Sequence, residues 1–269
     1  MTITISGIEI GAGQPCRFVA EISNNHNGSL ERAHRLIDAA KASGADFAKY
    51  QCFLPSELVS LRGDGPAPEP WGSQGWTMAS LYEKAQTPHA WFPALVAHCN
   101  EIGLPWFSSV FGYDSLALLE SLDVPALKVA RLDNSNDELA RVIGQSQRPI
   151  IVSYDDSGAI WARYQRATAG RIALFCPPGY PQASFGLRRP ENFYKFYREG
   201  TFDDFDGFSY HGTSIEPPIV AATLGAKLVE CHMMLEAEPS ELEANVSLTE
   251  VQFADMIRRV RAVEEMIAP

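Results

Sequence analysis

Apolar runs of five or six residues recur along this chain, and between them lie longer segments whose apolar positions fall three and four apart. The first alternation predicts short buried strands and the second predicts amphipathic helices. The strands are expected at Arg17–Glu21, Asp46–Gln51, Pro105–Ser109, Ala126–Ala130, Pro149–Ser153, Arg171–Cys176, Gly207–His211 and Lys227–His232. Helices are expected at Leu30–Ser43, with Ser29 as cap and Ala33, Leu36, Ile37 and Ala40 on its apolar face. Further helices fall near Pro88–Ile102, Tyr113–Ser121, Asn136–Gln145, Ser157–Thr168, Pro190–Arg198, Ser214–Leu224 and Thr249–Ile267. Repeated strand–helix units predict a parallel sheet, and eight of them predict an α/β fold of the (β/α)8 barrel type. Ile3–Ile10 reads as a small β-hairpin within residues 1–14. Residues 54–87 carry Gly-Asp-Gly-Pro-Ala-Pro-Glu-Pro and Trp-Gly-Ser-Gln-Gly-Trp, and read as a long irregular loop serving as a lid or a homodimer contact.

Composition fits one domain over residues 1–269. The 269 residues are 46% hydrophobic, enough for a barrel of roughly 250 residues. No apolar run approaches the roughly 18 residues of a membrane span, and the first residues lack a signal peptide's basic start. A cytoplasmic protein without membrane contact is expected. The five cysteines show no Cys-x-x-Cys spacing, so reduced packing thiols are expected. A net charge of −11 opposes nucleic-acid binding, and an anionic substrate would need local cations.

Those cations lie at strand ends. Enzymes on this fold work at the carboxyl ends of the strands. Glu21, Lys49, Gln51, Lys128, Ser153, Ser209, His211 and His232 stand at or near those ends. Lys49 and Gln51 share the parity of Phe47, His211 that of Ser209, and His232 that of Glu230, so they are expected to face the barrel interior. Polar groups there are costly unless paired or used. Exit to solvent explains one polar strand end more readily than eight. Lys49 and Lys128, with the hydroxyls of Ser153 and Ser209, are expected to hold a phosphate or carboxylate; the plainer reading is ion pairing of the lysines with Asp133 or Glu21. His211 and His232 are expected to share one hydrated divalent ion, with core hydrogen bonding as the plainer reading for either alone. The Asn25–Gly28 turn is explicable as a helix entry. No glycine-rich nucleotide fingerprint is present.

Several segments together resemble the N-acetylneuraminate (sialic acid) synthase family. They are Phe18–Gly28, Ala39–Asp46, Ala48–Gln51, Phe107–Phe111, Val124–Ala130, Pro149–Ser153 and Leu224–His232. The resemblance implies a barrel that condenses phosphoenolpyruvate with an aldehyde sugar, forming a 2-keto-3-deoxy acid and phosphate, a transferase reaction. It places the metal on His211 and His232 (Mn²⁺ first, Mg²⁺ or Zn²⁺ as alternatives) and the active-site carboxylate on Glu21. It places substrate contacts on Lys49, Lys128, Ser153, Ser209 and Tyr180, and Gln51, on the same face of its strand as Lys49, is expected to join them. Where the family reads Ser-Gly-Glu after the fourth strand, this chain reads Arg131-Leu132-Asp133, so Arg131 is expected to contact phosphate and Asp133 to assist Glu21. Phe175-Cys176, Tyr210 and Glu238–Glu243 also depart from the family pattern, and the resemblance covers the barrel without the family's C-terminal antifreeze-like domain. A related aldolase or lyase, or a non-catalytic sugar-binding homologue, is the alternative.

Overall fold

The computed structural model describes residues 2–133, 136–155, 170–182 and 206–267. Ile3–Ile5 (β1) and Ile8–Ile10 (β2) pair antiparallel as the expected hairpin. Eight parallel strands then close on themselves: Arg17–Glu21 (β3), Phe47–Cys52 (β4), Trp106–Val110 (β5), Leu127–Val129 (β6), Ile150–Tyr154 (β7), Arg171–Phe175 (β8), Gly207–Tyr210 (β9) and Leu228–Met234 (β10). Closure comes from β10, which pairs with both β3 and β9. This is the (β/α)8 barrel. A short further strand, Ser247–Thr249 (β11), pairs with the far end of β10 and is too short to show a period in the sequence.

The helices follow their apolar faces. Leu30–Ala42 (α1) starts where the Ser29 hydroxyl accepts the Arg32 N–H, and it buries Ala33, Leu36, Ile37 and Ala40. Phe92–Ile102, Tyr113–Ser121, Asp137–Ile143, Glu216–Thr223 and Glu250–Ile267 likewise match expected helices. The helices expected at Ser157–Thr168 and Pro190–Arg198 lie outside the described residues. No helix among the described residues is long and apolar enough to cross a membrane.

Residues 54–87 depart from the expected irregular loop. Pro55–Arg62 (α2) and Met78–Ala85 (α3) are helices, joined through a bridge between Pro66 and Thr77. Local signals explain both: Pro55 occupies the first turn of α2, and the Thr77 hydroxyl caps α3. The density of glycine and proline between them hid the pattern. Phe53, Leu58, Tyr82 and Phe111 form a small apolar cluster that fixes the segment above β4 and β5.

Inside the barrel the parity is as expected. Register aligns His232, Glu21 and Lys49 across β10, β3 and β4, with Ser209 opposite Glu230 one layer down. Phe47 and Phe107 meet in edge contact at 5.6 Å within the barrel. Where β9 meets β10, Gly207 approaches so closely that a Cβ there would lie 2.0 Å from the Leu228 carbonyl oxygen.

Candidate active site

Four charged side chains from four strands meet in the barrel mouth, all nearly inaccessible to solvent: Glu21, Lys49, Lys128 and Glu230. Lys49 binds the Glu21 carboxylate directly, and its Nζ lies 3.2 Å from Glu230 Oε1. Lys128 Nζ lies 3.8 Å from the same oxygen and donates to Ser153 Oγ at 2.7 Å and to the Val129 carbonyl at 3.0 Å. Ser209 Oγ donates to Glu230 Oε1 at 3.0 Å. Two cations thus face two carboxylates, with Glu230 Oε2 buried and unpartnered among the described residues.

The electrostatics of this quartet follow from burial against pairing. Burial pushes the Glu21 carboxyl up, with Lys49 opposing. Burial disfavours the Lys49 ammonium, but Glu21 and Glu230 hold its pKa above the ordinary value. Lys128 is pulled down by burial, with Glu230 in partial opposition. Burial would also raise Glu230, yet Lys128 and Lys49 bring it to about 2. The mouth therefore holds a firmly ionised carboxylate, Glu230, and a more basic one, Glu21. Sequence parity placed Glu230 in the interior but did not mark it as part of the site.

The two histidines stand beside this quartet, their ring centroids 5.0 Å apart, and Tyr180 packs on both. His232 Nδ1 lies 3.2 Å from Glu243 Oε2, and Tyr180 donates its hydroxyl to the other oxygen of Glu243. Burial disfavours the His232 cation, but Glu243 raises its pKa, and the same pairing brings Glu243 down to about 2 despite burial. His211 differs. Its Nδ1 meets the side-chain amide of Gln182 at 3.2 Å, and burial, with His232 adding, holds its pKa well below the ordinary value. The sequence marks Glu243 only within the divergent Glu238–Glu243 stretch and does not mark Gln182 at all, since both lie in connections with no periodic signal.

A cation shared by the histidines needs an Nε2 lone pair from each ring. His232 offers one, because its Nδ1 proton points at Glu243, the usual support for a ligating imidazole. His211 Nδ1 faces the Gln182 amide nitrogen at 3.2 Å and Cys176 Sγ at 3.8 Å; where the amide donates to it, the ring proton lies on Nε2 and that atom offers no lone pair. In that tautomer the pair does not fit a shared divalent ion. Among the described residues no group of three or more His, Cys, Asp or Glu side chains is arranged to hold one.

The remaining expected residues have other partners. Asp133 is buried in the turn after β6 and accepts both its contacts from Arg62 Nη2, at 2.6 and 2.7 Å. It is a counter-charge for α2 and does not accompany Glu21. Arg131 Nη1 lies 3.3 Å from Asp155, and Gln51 is half-buried on β4 opposite Ser109. The Asn25–Gly28 turn is a tie: Asn25 Nδ2 donates to the Met233 carbonyl and to Ser247 Oγ, joining the β3–α1 connection to β10 and β11.

Fold and site together define a (β/α)8-barrel protein with a buried charge cluster where enzymes of this architecture work. The chain belongs to the NeuB family, whose model matches residues 36–268. It is 30% identical to a pseudaminic acid synthase of Helicobacter pylori over 92% of this chain and 74% of that protein. It is 28% identical to the N-acetylneuraminate-9-phosphate synthase of Homo sapiens over 96% and 73%. Among solved structures, an N-acetylneuraminic acid synthetase of Leptospira borgpetersenii, determined in complex with citrate, superposes with a TM-score of 0.84. It is 22% identical, and the match covers 100% of this chain and 90% of that one.

Proposed function

We propose that this chain condenses phosphoenolpyruvate with an aldehyde sugar, or a sugar-like aldehyde, to give a 2-keto-3-deoxy acid and phosphate. The observation that carries this reading is the buried set of Lys49, Lys128, Ser153 and Ser209, two ammonium groups and two hydroxyls converging from four strands. A doubly anionic substrate matches such a set, since charge-assisted hydrogen bonds are the strong ones. The relatives' names, synthases of pseudaminic and N-acetylneuraminic acids, support the same reaction class.

In this reading the lysines and serines hold phosphate and carboxylate so that the enol methylene faces the aldehyde carbon. The carbon–carbon bond forms from the enol electron pair, and the aldehyde oxygen takes up a proton. Water adds to the resulting cationic carbon and loses a proton. Glu21 receives it, being the carboxylate whose pKa burial has raised towards useful basicity. The tetrahedral intermediate then expels phosphate, which carries off its hydroxyl proton and leaves the keto group, and the proton held by Glu21 replaces the one taken up by the aldehyde oxygen.

The test is a panel of aldehydes offered with phosphoenolpyruvate, read by phosphate release and product mass. Release that depends on an aldehyde is the expected result. Phosphate release with no aldehyde, or aldehyde cleavage in its place, overturns the reading. Losing one charge-assisted contact costs about 1.5–3 kcal/mol, so Lys49→Ala or Lys128→Ala should weaken phosphoenolpyruvate binding by about tenfold or more. Calorimetric titration measures this.

A further inference from the structure

Gln182 is buried in the connection between β8 and β9, and its side-chain amide can sit only one way round. The His211 backbone N–H donates to Oε1 at 3.1 Å, and Nε2 donates to the Pro177 carbonyl at 2.8 Å. Reversing the amide would set donor against donor and carbonyl against carbonyl, losing both bonds. The Gln182 backbone N–H also donates to the His211 carbonyl at 2.7 Å, so the two residues are clamped together. With the amide fixed, its second hydrogen faces His211 Nδ1 at 3.2 Å, and Cys176 Sγ lies 3.8 Å from both nitrogens. In the shorter of these contacts Nδ1 supplies the lone pair, and the ring proton then resides on Nε2. His232 has the opposite arrangement, with its proton on Nδ1 towards Glu243. The two Nε2 atoms make no hydrogen bond among the described residues.

We propose that His211 acts as a neutral hydrogen-bond donor, its Nε2–H polarising the carbonyl oxygen of the second substrate in the place where a divalent cation would otherwise sit. Gln182 is the positioning residue that fixes this tautomer. A donor already aimed in a buried site polarises a carbonyl without any ion. For His211 to ligate a metal through Nε2, its proton would have to move to Nδ1 and oppose the Gln182 amide hydrogen. The donor role rests on the proposed condensation, which supplies the aldehyde. The tautomer assignment does not.

The test begins with the full chain carrying ¹⁵N-histidine, its His211 signals identified by comparison with His211→Gln. Long-range ¹H–¹⁵N correlation is expected to show a neutral ring protonated on Nε2, and the spectrum should be unmoved by stoichiometric Zn²⁺. A ring protonated on Nδ1 overturns the proposal. Gln182→Glu replaces the donor with a carboxylate that accepts from Nδ1 and so frees Nε2. Its Zn²⁺ affinity by calorimetry should exceed that of the parent at least tenfold, and the gain should vanish on adding His232→Ala. A parent chain that already binds one Zn²⁺ or Mn²⁺ tightly, and loses it in His211→Ala, overturns the proposal. So does aldehyde-dependent phosphate release that stops when a chelator is added. Absence of release under every condition, with the Nε2–H tautomer observed, overturns the proposed reaction and the donor role with it. It leaves the tautomer assignment standing.

Discussion

Among single residues, Glu230 bears most on the balance of charge in the barrel mouth. It is the shared counter-ion of Lys49 and Lys128, and both lysines are almost wholly buried. Its pKa, brought from 4.5 to about 2 by those lysines, lies below the unfolded value. A depressed carboxyl contributes stability that is present above about 4.5 and is lost as pH falls towards 2. Glu230→Gln keeps the shape and can keep the Ser209 contact, yet leaves two ammonium groups sharing one carboxylate. Removing one partner of a buried ion pair costs about 3–5 kcal/mol. The variant should therefore be about 3 kcal/mol less stable at pH 7, and its stability should vary less than the parent's between pH 5 and pH 3. Urea unfolding across that range measures both. Equal stability at pH 7 would mean that Glu230 is not the counter-ion this geometry makes it.

Whole elements were legible in the sequence where period and parity spoke together. Each barrel strand was marked by a short apolar run, and the polar residue at its end could be assigned inward because side chains alternate. Glu21, Lys49, Lys128, Ser153 and Ser209 were found that way. Gln182 and Glu243 were not, because a loop residue's position is set by tertiary contacts that no period encodes. The same limit hid the role of Arg62. Its helix, α2, is anchored to the barrel by the Arg62–Asp133 pair and by Glu57, whose Oε1 accepts the Asp114 N–H at 3.0 Å at the start of the Tyr113–Ser121 helix. Arg62→Ala leaves the Asp133 carboxylate buried without its partner, so a loss of about 3–5 kcal/mol is expected. Hydrogen exchange should quicken across residues 55–62 and 78–85 while the barrel strands stay protected. Asp133→Asn, which removes the buried charge itself, should cost less. If both variants cost the same and exchange is unchanged, the pair does not anchor the segment.

At the scale of the whole molecule, everything depends on closure, since the site exists only if strands from opposite sides of the sheet are brought to one mouth. The closing contact is β9 against β10, where Phe208 pairs with Val229 and Ser209 is set opposite Glu230. Gly207 begins that contact. A methyl group at this position would lie 2.0 Å from the Leu228 carbonyl oxygen and 2.7 Å from Leu174 Cδ2. The first neighbour is backbone within the sheet and cannot rotate away, so the strands themselves would have to separate. Overpacking in a well-packed interior costs about 1–3 kcal/mol, and a backbone obstruction belongs at the upper end or beyond. Gly207→Ala should thus lower stability by about 3 kcal/mol. It should also disturb the Ser209–Glu230 hydrogen bond, so binding of an anionic substrate should weaken along with folding. Gly65→Ala is the matched control, because a methyl group there meets nothing within 4 Å and the backbone is not left-handed. That control should be neutral in denaturant unfolding. A Gly207→Ala protein as stable as its control would mean that β9 and β10 tolerate a wider spacing, and that the mouth is not held together by this approach.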